Sequence, residues 1–521
     1  MRIDSTKRTT NGIIFGLINK AVVILMPFVL RTILIHKIGD DYAGLSSLFT
    51  SILRVLNMAE LGFAAAAAFS FYKPVANDDS DKVCALLSFY RTVYRIVGAF
   101  VLVAGLSLLP FLDNLINGSY PYDINLRALY FIYLLESASS YFLFSYKNLI
   151  LNVYQRIDVI SIISTLLHLV VYGLQVVVLV WLKDYYLFVV LDLVYTVSNN
   201  LFVAAYVSRH FPQYRCRGMI DKDERKENVK NIYGMFLFKV CSATRSSLNT
   251  VFISAFIGLK AATIYGNYYL IFAGVASLQA IICDSMKGGI GNKIALKSPE
   301  QNHQDMQVLM FLYAWLSGVL TSCLLCLYQP FVELWVGSSL MLNDSEMVLL
   351  VVYFYTLSMG TIRFLYHQSA GLFWPKRYWT LAETLTIAIL DYFLVGFWGI
   401  KGVLIANIFA TLTIDFGYST TIVYDYYFKN KKISMYFQKH VLYFLVTGIG
   451  CIVSYFLCMI IPLSGVLGLV TKAIVCIVAC NVVYFPIYKK LPEYCDAIRI
   501  VFRILKLDEE KVAYRLNSFK D

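Results

Sequence analysis

Fourteen long apolar stretches follow one another along the chain, separated by short polar interruptions. The first six lie at about 11–35, 42–72, 83–111, 127–150, 157–181 and 186–208. The next six lie at about 231–258, 262–287, 306–330, 347–373, 379–398 and 402–427, and two more at about 437–461 and 464–488. A helix needs about 20 mostly apolar residues to cross roughly 30 Å of hydrocarbon, and each stretch meets that length. The runs are continuous and do not alternate residue by residue, which argues against the strands of a membrane barrel. The pattern predicts an all-α polytopic membrane protein of about fourteen spans.

Composition removes the alternatives. Of 521 residues, 59% are hydrophobic and only 15% are charged, with a mean hydropathy of +0.65. A soluble surface needs more charge than that, about a quarter of all residues. An aromatic content of 16% is too high for disorder. The first apolar run is too long for a cleaved leader and reads as a retained helix.

Charge then sets the orientation. With the N-terminus in the cytoplasm, the inward loops and tails carry 31 Lys and Arg, against Lys37, Lys183, Lys260 and Lys401 in the outward loops. Such an asymmetry is the positive-inside signature of a cytoplasmic membrane protein with both termini inside. Most of the +12 net charge therefore faces the cytoplasm, where it suits anionic lipid rather than nucleic acid. None of the 11 cysteines falls in an outward loop, so no disulfide framework is implied. Cys323 and Cys326 form a C-x-x-C string inside an apolar helix, where packing is the expected role, and no metal site is expected. The basic and apolar residues between about 494 and 507 suit a helix lying on the cytoplasmic surface.

The chain also repeats itself at an offset near 220. Lys20 falls on Lys239, Ile38-Gly39 on Ile257-Gly258, Tyr42 and Gly44 near Tyr265-Gly266, and Asp192 on Asp415. Two six-helix lobes follow, 1–208 and 231–427, joined by a basic linker at 209–230. Six is even, so the lobes share an orientation and form a parallel pseudo-twofold repeat, which is transporter architecture. Spans at 428–488 are an addition without a repeat partner, followed by a basic tail at 489–521.

Charges within spans are costly and normally face a protein interior or a wet cavity. Lys20, Arg54, Arg91, Arg95, Lys239, Arg245 and Arg363 are such cations, and both lobes supply them. Taken singly, each fits a salt bridge between helices as well as a cavity wall. As a set they favour a cationic central cavity for an anionic group, phosphate above all, since Arg offers a planar fork and Lys a point charge. Arg31 and Lys183 lie near the interface and are expected to snorkel. Among the acids, Glu60, Asp192 and Asp415 are candidates to carry a coupling proton or sodium ion, or to serve as helix contacts. No Walker loop, zinc motif or serine elbow is present, so no catalytic residue and no cofactor is expected.

The N-terminal stretch resembles the Wzx-type polysaccharide-unit flippases. The resemblance is carried by Arg31, by Gly39, Tyr42, Gly44 and Leu45, by Glu60-Leu61-Gly62-Phe63, by Tyr72-Lys73-Pro74, and by the pairs Tyr90-Arg91 and Tyr94-Arg95. Gly399, Gly402, Val403, Ala406 and Asn407 extend it. That family belongs with the lipid II flippases and the multidrug (MATE) exporters. The resemblance implies translocation of an undecaprenyl-diphosphate-linked oligosaccharide between leaflets, with membrane lipids, glycosyltransferases and a polymerase as partners. It also implies a diphosphate-binding role for Lys20, Arg54 and Arg245. An ion-coupled MATE-like exporter of small molecules is the alternative.

Overall fold

The computed structural model describes residues 22–23, 25–118, 120–154, 156–222, 241, 244–245, 247–370, 372–429 and 431–504, and no strand occurs among them. The chain divides into two compact units, Met1–Gly266 and Asn267–Asp521. Ten helices among the described residues are long and apolar enough to cross a membrane, so this is a multi-pass membrane protein. They coincide with the third, fifth, sixth and eighth to fourteenth expected spans.

In the first unit, helical residues 25–37 precede α1 (Asp40–Ala76), α2 (Ser80–Leu108), α3 (Leu126–Phe142), α4 (Asn148–Val153), α5 (Ile157–Val177) and α6 (Tyr185–His210). Short polar residues start these helices by accepting orphan N–H groups. Asp79 accepts from the Lys82 N–H, Asn125 from Ala128 and Asp184 from Leu187, at 3.0, 3.1 and 3.0 Å. Aromatic packing closes the interior: Phe49 meets Tyr130 and Tyr133 edge-on, and the Tyr133 and Tyr185 hydroxyls lie 3.1 Å apart.

The expected fourth span, 127–150, is not one helix. Phe144 is left-handed at φ +62°, a 3-10 turn follows at Ser145–Lys147, and α4 resumes beyond it. Irregular backbone at membrane depth must be satisfied from within the protein. Here the Ser145 hydroxyl and the Asn200 amide both donate to the freed Ser140 carbonyl.

The repeat is visible in the backbone. Gly39 and Gly258 both adopt positive φ, +144° and +123°. Each N–H reaches back five residues, to Leu34 O and Ile253 O, at 3.1 Å in both cases. The preceding Ile38 and Ile257 each reach back four residues to the same carbonyls. One helix-ending device therefore occurs twice. Gly44 on α1 and Gly266 on α7 (Leu259–Leu296) supply a close crossing. A Cβ on Gly44 would meet Leu259 O at 2.6 Å, and one on Gly266 would meet Ser47 Oγ at 2.8 Å. Small residues at crossings are how membrane helices gain contact when lipid gives no hydrophobic drive between them.

In the second unit, α8 (Pro299–Val336), α9 (Asp344–Ser369), α10 (Phe373–Trp398) and α11 (Ile400–Ala410) run on through a π-helix, Thr411–Tyr418, into α12 (Ser419–Val423). Another π-helix follows at Tyr424–Phe428. The C-terminal addition comprises α13 (Ile433–Ile460), α14 (Gly465–Tyr488) and α15 (Tyr494–Ile504). Both α13 and α14 pack on α8 and on each other. Gly318 of α8 and Gly450 of α13 admit Tyr484 of α14, whose ring atoms lie within 3.1 and 2.6 Å of where a Cβ would stand. The Trp315 indole donates to Asn481 Oδ1 at 3.0 Å across the same interface.

Candidate functional site: charged and polar groups inside the helical units

Lys20 and Lys239 lie outside the described residues, and so does the side chain of Glu60. Arg54 is exposed on α1. Arg91 and Arg95, one turn apart on α2, both lie within electrostatic reach of Tyr146 in the 3-10 turn. Arg91 is half-buried, and its Nε has no hydrogen-bond partner among the described residues. Arg95 is exposed, and Arg245 is half-buried just before the apolar helix Ser247–Phe256.

The structure joins two of the candidates to each other. Arg363 on α9 is 1% exposed, and its Nη2 lies 2.7 Å from Asp415 Oδ2. Its Nη1 donates to the main-chain oxygen of the same residue. Gly360, one turn earlier on α9, leaves room for the pair, since a Cβ there would stand 3.2 Å from both side chains. Asp415 belongs to the π-helix Thr411–Tyr418, a geometry that shifts a side chain out of α-helical register and recurs at functional sites. Its repeat partner, Asp192 on α6, instead accepts a 2.8 Å hydrogen bond from Gln175 of α5.

Arg31 does not reach for the interface. Its guanidinium turns inward and donates to Ser47 Oγ at 3.1 Å and to Thr263 O at 3.2 Å. The crossing at Gly44 and Gly266 leaves that carbonyl beside it, and a buried fork with acceptors is better satisfied than one stretched toward headgroups. Lys183 is exposed as expected. Asn117 and Asn343, each opening an N-x-S string that can accept a glycan, are both structurally committed. Asn117 donates to Phe256 O at 2.6 Å, and Asn343 caps α9 in a reciprocal box with Glu346.

Other polar groups gain weight only from the fold. Glu136 on α3 accepts from Thr196 of α6 at 2.6 Å. It lines a polar chamber of about 290 Å³ with Ser140, Asn148, Asn199 and Asn200, beside the break after α3. An apolar chamber of about 340 Å³ lies between α9, the π-helix Thr411–Tyr418 and α13, lined by Tyr355, Met359, Phe416, Phe437 and Phe444. Asp391 on α10 is fully buried, and neither carboxylate oxygen has a hydrogen-bond partner among the described residues. The turn at Gly399 brings α10 and α11 together so tightly that a Cβ on Gly402 would stand 2.2 Å from Leu394 O. Asp391, three residues before Leu394, therefore lies near the level of Ala406 and Asn407 on α11. Asp391 is one of several acids within spans, and the sequence carries nothing that separates an unpaired carboxylate from a paired one.

No family model matches the chain, and no curated protein matches it. Solved structures do. One titled lipid II flippase MurJ, in an inward closed conformation, superposes at a TM-score of 0.67 and 12% identity, covering 92% of this chain and 99% of that one. An inward-facing multidrug resistance MATE family transporter of the MOP superfamily gives 0.56 and 14%, covering 80% and 99%. An outward-facing one gives 0.54 and 15%, covering 81% and 96%. The chain shares its fold with this lipid II flippase and with the MATE transporters of the MOP superfamily.

Proposed function

We propose that the chain is a flippase that moves an undecaprenyl-diphosphate-linked oligosaccharide repeat unit from the inner to the outer leaflet for cell-surface polysaccharide synthesis. The carrying observation is the extent of the shared fold. The lipid II flippase covers 92% of this chain and the MATE transporter 80%. The difference is about 60 residues, so the likeness to the lipid flippase is more extensive by that much. Sugars and a diphosphate cannot cross hydrocarbon unaided, because buried polar groups without partners are expensive. Two lobes, 1–208 and 231–427, alternate access to a cavity whose cations engage the diphosphate. The lipid tail stays in apolar surroundings, and the chamber beside α13 is of a kind that takes hydrocarbon.

Lys20, Arg54 and Arg245 are assigned to the diphosphate. Replacing each by Ala should abolish lipid-linked sugar on the outer leaflet while protein levels hold. Normal flipping in all three variants removes the assignment. Arg363 is assigned to holding the fold, because its charge is taken up by Asp415. Ion coupling by proton or sodium falls to the acids. Among them, Asp391 combines complete burial with a carboxylate that has no hydrogen-bond partner among the described residues, while Asp192 and Asp415 already accept hydrogen bonds. The MATE-like alternative, export of small molecules, predicts drug efflux from cells that express the protein and no effect on lipid-linked sugar.

A further inference from the structure

Four cysteines distant in sequence meet inside the second unit. Cys323 and Cys326 lie one turn apart on α8, Cys458 near the end of α13, and Cys476 on α14. The sulfurs of Cys326, Cys458 and Cys476 all lie within 4.8 Å of one another, and all three residues are buried. Cys458 Sγ and Cys476 Sγ are 3.5 Å apart. The Cys323 thiol also reaches that of Cys476, so Cys476 contacts the other three. All four are free thiols.

We propose that Cys323, Cys326, Cys458 and Cys476 form a thiolate metal site that takes zinc or a similarly thiophilic cation and fastens the α13–α14 hairpin to α8. Three geometric facts support this. A tetrahedral zinc with Zn–S near 2.3 Å sets its sulfurs about 3.8 Å apart, and the separations among Cys326, Cys458 and Cys476, 3.5 Å to within 4.8 Å, bracket that value. The ligands come as a C-x-x-C pair plus one cysteine from each of two further helices, so the two α8 thiols share a face, and Cys323 meets the other three through Cys476. Finally, Cys326 and Cys476 lie ten and eleven residues from the Val336 and Gly465 ends of their helices, about 15 Å by helical rise, so they sit at similar depth.

Soft sulfur ligands select zinc or copper(I) over calcium or magnesium. Each ligating thiol releases its proton to solvent as the metal binds, and two thiolates neutralise a divalent ion. Lys472, one turn before Cys476 on α14, brings a positive charge to the same segment against any further thiolate. Its main-chain carbonyl already accepts from Cys458 Sγ at 3.7 Å. Packing needs none of this convergence, since a close-packed core is filled as well by Ala, Ser or Val at such positions.

The test uses the full chain, purified in detergent under reductant and loaded with zinc, with bound metal measured by mass spectrometry. The expected result is about one zinc per chain, as for a closed four-thiolate site. It should be lost in Cys458→Ser and Cys476→Ser and kept in Cys216→Ser and Cys495→Ser, whose thiols lie elsewhere. Wild-type chain that retains no more zinc than Cys476→Ser overturns the proposal. So does a disulfide among the four in protein isolated without oxidant, which would assign the cluster to redox chemistry. Should the variants fail to fold, cobalt loading of the wild type decides. Thiolate-to-cobalt charge-transfer bands with tetrahedral d–d absorption support the site, and their absence overturns it.

Discussion

Arg363 and Asp415 show how much one residue's meaning depends on its partner. Each is a lone charge in an apolar run, and sequence spacing leaves both roles open, cavity wall or helix tie. The 2.7 Å contact between them supports the tie. Removing one partner strands a buried charge, which costs about 3–5 kcal/mol, whereas replacing both by apolar residues is near neutral. Arg363→Met or Asp415→Leu alone should therefore lower the melting temperature of the purified protein markedly. The double variant should recover most of the loss. If Arg363→Met is no less stable than wild type, the pair does not hold the fold. The cysteines make the same point, since C-x-x-C at 323–326 predicts packing, and only the fold shows that Cys458 and Cys476 lie against Cys326. Likewise Arg31 marks the family resemblance, but only the structure shows what it binds.

At the scale of elements, most helices were legible because their cause is local. An apolar run of sufficient length, started by Asp79, Asn125 or Asp184, has few alternatives to a helix. The break after α3 was not legible. Phe144 in a left-handed conformation is unfavourable for a bulky residue and is held by contacts made after folding. Glycines divide in the same way. Gly402 is required by the backbone of α10, whereas Gly396 on α10 has nothing within 4 Å of its missing Cβ. Gly402→Ala should destabilise by about 1–3 kcal/mol, the usual cost of overpacking. Gly396→Ala should be neutral or stabilising by up to about 1 kcal/mol through helix propensity. Thermal unfolding of the two variants in the same detergent checks both. Equal effects would mean that the α10–α11 turn relaxes freely.

For the whole molecule, the proposed flippase raises the question of what would drive its cycle. Asp391, fully buried and with no hydrogen-bond partner among the described residues, is a poor structural element and a place where a proton or a cation can come and go. Collapsing the proton and sodium gradients should slow appearance of lipid-linked sugar on the outer leaflet. In Asp391→Asn the residual rate should no longer respond to either gradient, while the melting temperature stays at or above that of wild type. A wild-type rate insensitive to both gradients argues for facilitated flipping down the substrate's own gradient. An Asp391→Asn variant that still responds moves coupling to another acid, Glu60 or Asp192 first.

The sequence by itself determined that the chain is a helical membrane protein, roughly where its spans lie, and that it repeats. Those properties follow from summed apolar length and from loop charge, which are additive along the chain and need no knowledge of neighbours. The repeat survives down to the matching backbone turns at Gly39 and Gly258, because a positive φ selects glycine locally. Only the tertiary structure decided which buried charges are paired among the described residues and which cysteines meet. Pairing is a property of two positions brought together from as far as 52 residues apart for Arg363 and Asp415, or more than 130 for Cys326 and Cys458. In low dielectric it is that distance in space, and not residue type, that sets whether a charge is a strut or a site.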